Sequence, residues 1–155
     1  MYTEKEQQAL EKKLDQLGKF KRREWTKEHF IKLLNEKRIK RIDENLKETK
    51  KKYAHLPLEE QAVHILYFDH MEINPEHVQI ERLSPTKLRT VARNFCPYLE
   101  ACKQLGLDTR VVCRKIGEPS IHEMLKRINP RLKFSRNYDN IRPHTDFCEE
   151  YFELV

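Results

Sequence analysis

The chain has 155 residues, of which 38% are hydrophobic and 36% charged, with a net charge of +6. That is enough apolar material for one modest core and too little for two. No apolar run approaches the roughly 20 residues that span a bilayer, and the opening MYTEKEQQAL is charged from its third residue, so a soluble cytoplasmic protein is expected. Charge is unevenly spread: residues 1 to 53 hold 17 Lys and Arg against 10 Asp and Glu, and the remainder 14 against 15. The positive excess therefore sits in the N-terminal third.

That third reads as two helices. Thr3 with Glu6 has the form of a capping box, Ala9, Leu10, Leu14 and Leu17 recur at helical spacing, and Gly18 is placed for a left-handed cap, predicting a helix over 4–17. Thr26 can cap a second helix, with Trp25 and Phe30 as a hydrophobic staple. Phe30, Ile31, Leu34, Ile39, Ile42, Leu46 and Tyr53 then form a narrow apolar stripe on a charged helix. The first helix, the C-terminal part or a second copy of the chain can cover that stripe. Pro57 suits the first turn of a third helix bearing Leu58, Ala62, Ile65, Leu66 and Met71, which Asn74-Pro75 should stop.

From His77 the period changes. HVQIERL alternates, Ser84-Pro85-Thr86 supplies turn chemistry, and Lys87 to Phe95 alternates again, which predicts an antiparallel hairpin ending at Cys96-Pro97. Short helices should follow over 98–105, closed by Gly106, and over 109–116, with Gly117 and Pro119 breaking the chain. Ser120 with Glu123 looks like a capping box opening a helix through Ile121, Met124, Leu125 and Ile128, ended by Asn129-Pro130. Strands are expected over 132–138 and 147–154. The reading is α+β: N-terminal helices followed by a four-stranded antiparallel sheet with helices on one face. It divides into a basic helical segment, 1–56, and an α+β domain, 57–155, that carries every cysteine.

The four cysteines, Cys96, Cys102, Cys113 and Cys148, all lie in the last 60 residues, with His122 and His144 among them. Without a leader-like opening, reduced thiols are the better expectation. Cys96, Cys113 and Cys148 with His144 could hold zinc or iron, although intervals of 5, 10 and 34 residues contain no C-x-x-C knuckle. Alternatively Cys113 could act as a thiolate activated by His122 in the first turn of its helix. Or the thiols simply fill the core, as Cys102 beside Leu99 and Leu105 can do.

Cys96-Pro97 after a strand, a helix ending at Gly106, Cys113 in the next helix, Asn129-Pro130 before a strand and Cys148-Glu149 opening the last strand form a sparse pattern over the last 60 residues. In it the chain resembles the L-2-amino-thiazoline-4-carboxylic acid hydrolase family and, more distantly, the vinyl-4-reductase type of ligand-binding domain. Members carry Gly-Asp shortly before the final cysteine. This chain has His144-Thr145 there, with Asp146 one place later.

The resemblance implies a pocket for a small amino-acid-like molecule and hydrolysis of a cyclic C–N or C–S bond by a cysteine-bound metal or a thiolate. The more distant one implies a non-catalytic metal- or ligand-binding sensory module, dimerising through its N-terminal helices. Ring hydrolysis needs a group to hold the substrate carboxylate; Arg93, Arg114, Arg136 and Arg142 are candidates, and Arg93 and Arg114 stand nearest in sequence to the cysteines. The basic N-terminal helices would attract phosphates, but interspersed acids and the lack of any phosphate loop or stacking motif disfavour nucleic acid as a partner.

Overall fold

The computed structural model describes all 155 residues. Helix α1 runs Glu4–Lys21, capped reciprocally by Thr3 and Glu6 as the capping box requires. It continues past Gly18, which is buried inside the helix; the left-handed residue falls instead at Arg23, φ 62°. Four residues beyond the expected stop are helical because Phe20, on the face of Leu17, packs edge-on against Phe30, with ring centroids 6.0 Å apart. Helix α2 spans Lys27–Lys52; Thr26 accepts from the His29 amide, and the rings of Trp25 and Phe30 meet at 5.5 Å as the staple predicts. The short helix α3, Leu58–Val63, takes Pro57 as its N-cap and widens into a π-helical segment, His64–His70.

Strands β1, Val78–Ser84, and β2, Lys87–Ala92, form the expected hairpin, with a register shift between Arg82 and Ser84. Strand β2 ends three residues earlier than its alternation suggests, since Asn94 to Cys96 already turn toward the next helix. Helix α4, Pro97–Leu105, closes on Gly106 at φ 68°. Helix α5, Thr109–Val112, is capped by Asp108. It passes through a π turn, Cys113–Gly117, into α6, Glu118–Ile128.

The expected break at Gly117 and Pro119 is therefore absent. A wide turn shifts the hydrogen-bond ladder, and Pro119, which has no amide hydrogen to give, falls in the first turn after that shift. Ser120 consequently caps nothing. It is fully buried, donates to Asn35 Oδ1 at 2.6 Å and accepts from Arg38 at 2.8 Å.

Strands β3, Leu132–Asn137, and β4, Cys148–Leu154, complete an antiparallel sheet of order β1-β2-β4-β3. Register fixes what faces the helices. Leu88, Phe152 and Phe134 stand opposite one another, and so do Thr90, Glu150 and Arg136 one pair along, with Ala92 and Cys148 beyond. The inner face thus has an apolar end and a polar end.

The apolar end is packed by Leu66, Tyr67, Met124, Leu125 and Ile128, with Phe134 and Phe152 edge-on at 5.3 Å. Fully burying one such side chain is worth about 1.5–3 kcal/mol, so this layer holds the sheet to its helices. A second core joins Leu10, Leu17, Phe30 and Leu34 to Ala101, Cys102, Val112 and Ile116. The stripe on α2 is thereby covered from within the same chain, and the N-terminal segment shares its core with the cysteine-bearing part. No helix is long and apolar enough to cross a membrane.

Candidate functional site

Alternation along β4 sends Cys148, Glu150 and Phe152 inward and Glu149 and Tyr151 outward. Over the polar end of the inner face lie the π turn, which delivers Cys113, and the connection between β3 and β4, which delivers Tyr138 and Ile141. Cys113 and Cys148 are buried together around Ile141, with Tyr138 against them. Cys96 is close enough to bear on the charge environment of Cys113 and of Arg136.

Arg136 is the principal charge there. Its side chain is only 10% exposed, and it pairs with Glu150 Oε1 at 3.0 Å. Tyr67 donates its hydroxyl to the other Glu150 oxygen and lies 3.4 Å from the Thr90 hydroxyl. Burial pushes the Glu150 carboxyl up to about 8. The guanidinium pulls the other way and keeps its own proton at any pH near neutral, so we read the pair as ionised. Arg136 Nε is buried with no hydrogen-bond partner. An orphaned buried donor on a charged group is costly, and a native fold that keeps one calls for an explanation.

Two of the thiols, Cys113 and Cys102, are not poised as nucleophiles. Burial pushes Cys113 up to about 11, against the pull of Arg136, and Cys102 up to about 12. Both are protonated at neutral pH, and thiol reactivity needs the thiolate. All four cysteines are free.

His122, expected beside Cys113, instead stands edge-on to the Phe134 ring, 6.2 Å between centroids, and no hydrogen bond joins it to the thiol. His144 is drawn away as well: its Nε2 meets Asp108 Oδ1 at 3.0 Å on the surface, and Arg110 and this histidine hold the Asp108 carboxyl well below the usual range. No group of three or more His, Cys, Asp or Glu side chains is arranged to hold a metal ion. The zinc or iron centre of Cys96, Cys113, Cys148 and His144 thus finds no ligand set.

The two arginines favoured by proximity in sequence are exposed and occupied with aromatic rings, Arg93 over Phe147 at 5.5 Å and Arg114 over Tyr138 at 4.2 Å. Arg142 points inward, Nε 3.4 Å from Cys148 Sγ and Nη1 2.5 Å from the Asn94 carbonyl. Sequence reasoning ranked Arg136 behind its neighbours and missed Glu150, Tyr67 and Thr90. The available signal was parity: Glu150 shares a strand face with Cys148 and Phe152.

A surface groove of about 270 Å³ between α2 and the π-helical segment contains Arg41, Lys52, Asp69 and His70 but none of the cysteines. Its Lys52 and Asp69 already pair at 3.3 Å. His70 Nδ1 in this groove is buried and unpartnered as well, but Arg136 is the one such group that lies beside the cysteines Cys113 and Cys148. No protein-family model, curated protein or solved structure matches the chain.

Proposed function

We propose that this protein binds a small carboxylate-bearing molecule at the polar end of its sheet, as its resemblance to the aminothiazoline-carboxylate hydrolases suggests. The unpartnered Nε of buried Arg136 supports this reading. A guanidinium fork that already gives one edge to Glu150 has a second edge left for a carboxylate. The buried sulfurs of Cys113 and Cys148 would line the site as soft, weakly polar surface suited to a sulfur-containing ring.

The resemblance would make the reaction hydrolysis of a cyclic C–N or C–S bond in an amino-acid-like substrate. The raised thiol of Cys113, its separation from His122 and the lack of a metal ligand set favour the second reading, a ligand-binding module without turnover. Dimerisation is not needed to cover the α2 stripe. Entry to Arg136 requires the β3–β4 connection to move. That connection is tied down by Thr109 Oγ1 donating to the Arg142 carbonyl at 2.7 Å and by Arg142 reaching the Asn94 carbonyl.

Calorimetric titration with 2-aminothiazoline-4-carboxylate, followed by chromatography of the ring, tests both readings. Glu150→Gln removes the resident counter-charge of Arg136 and should tighten carboxylate binding severalfold; Arg136→Gln in that background should weaken it at least tenfold. Intact ring after prolonged incubation supports the binding module, and ring opening supports the hydrolase. Affinity indifferent to Arg136 refutes the site.

A further inference from the structure

A second cavity, of about 580 Å³, opens where the turn between α1 and α2 faces the turn between α4 and α5. One wall carries the rings of Phe20 and Trp25, the other the aliphatic side chains of Leu107, Val111 and Val112. None of these belongs to the polar end of the sheet. Trp25 is half-buried and Val111 is 46% exposed, so apolar surface is left to water in a concave place and gains from being covered. The volume lies in the range of small-molecule pockets, roughly 300–1,000 Å³.

The chain turns sharply to make this shape. Arg23 adopts φ 62°, uncommon for a residue with a side chain, and the amides of Glu24 and Trp25 both reach back to the Lys19 carbonyl, at 2.9 and 3.3 Å. That return sets the indole edge-on to Phe30, against which Phe20 also stands edge-on. The aromatic wall is thereby fixed before anything binds. Lys21 donates to the Leu105 carbonyl and so ties the two turns together.

Charge selects the occupant. Glu24 pairs with Arg22 at 2.8 Å, which leaves Arg23, on the rim, without an acidic partner. Asp108, the one acid of the lining, is taken by Arg110 at 2.9 Å and by His144 at 3.0 Å. The free charge beside the apolar walls is therefore positive. Exposed cations alone hold an anion weakly in water, so the apolar body of the ligand has to supply much of the affinity. We propose that this cavity binds a flat aromatic carboxylate, its rings between Trp25 and Val111 and its carboxylate on the guanidinium fork of Arg23. This site stands independently of the carboxylate reading of Arg136.

The chain has a single tryptophan, so the one indole N–H resonance in a proton–nitrogen correlation spectrum of the full chain reports on this cavity. 2-Naphthylacetate should shift that resonance saturably, 2-naphthylacetamide should bind at least fivefold more weakly, and acetate should leave it in place. Arg23→Gln should weaken the acid at least fivefold and spare the amide, with Arg23→Lys restoring most of the loss, whereas Val111→Gln should weaken both naphthyl compounds alike. Should Arg23→Gln disturb the fold, Arg23→Gly, which suits φ 62°, makes the same comparison. No saturable shift up to millimolar naphthylacetate, or equal affinity for acid and amide, overturns the proposal. So does a shift abolished by Arg136→Gln, which would put the ligand at the sheet, or an indole resonance that moves on diluting the free protein, which would mean that a second copy covers the walls.

Discussion

Glu149 and Glu150 are adjacent and chemically identical, yet alternation places them in opposite circumstances. Glu149 faces out into a rim of donors, with Arg89 Nε at 3.2 Å, Asn140 Nδ2 at 2.8 Å and the Tyr151 hydroxyl. The Arg89 guanidinium foremost, with Tyr151 and Asn140 helping, lowers its carboxyl to about 2. Its folded pKa lies below the unfolded value, so its contribution is complete above about pH 4.5 and disappears as pH falls toward 2. His70 acts at higher pH. Burial, then Arg38 and Arg41, lowers it to about 4, so an unfolded chain takes up the proton near 6.5 while the folded one refuses it, and stability declines as pH falls from 6.5 to 4. Urea midpoints measured from pH 7 to 3 should show Glu149→Gln weaker at pH 7 and flatter below 4.5, and His70→Gln flatter between 6.5 and 4. Parallel pH curves for wild type and both variants would contradict these assignments.

Local signals gave a good account of the elements wherever the bond pattern was local. The capping box at Thr3 and Glu6, the staple at Trp25 and Phe30, and the alternation of the hairpin each concern residues within one turn or one strand pair, and each is realised. Gly106 is the sharpest case: it holds φ 68°, and a Cβ built there meets nothing within 4 Å. Gly106→Ala should therefore cost about 1 kcal/mol in a urea titration through backbone strain alone, and Gly106→Asn less. A cost above about 3 kcal/mol would point to a clash that this geometry lacks. The two π segments, His64–His70 and Cys113–Gly117, were not legible, because an i to i+5 ladder has no residue code of its own and is settled by what packs on each side. Ser120 shows the result, a capping signature that tertiary structure converts into a buried link between α6 and α2.

At the scale of the molecule, both large cores mix N-terminal helices with later elements, Leu10, Leu17 and Phe30 in one, Ile42 and Tyr53 in the other. The chain should accordingly unfold in one transition, with far- and near-ultraviolet circular dichroism curves superimposing. An early helical loss attributable to residues 1–56 would show that this segment folds as a separate body. The fold class was readable because periodicity reports which faces are buried. The site was less so, since Arg136 and Glu150 become partners only through strand register. The Thr90–Glu150–Arg136 row also guards against misalignment. Were β4 to slide by one residue, Phe152 would turn to water, Glu149 would go inside, and the guanidinium of Arg136 would be entombed without its counter-ion. An ion pair that adds little to net stability can thus penalise every wrong pairing heavily, giving the sheet a proofreading step made of charge.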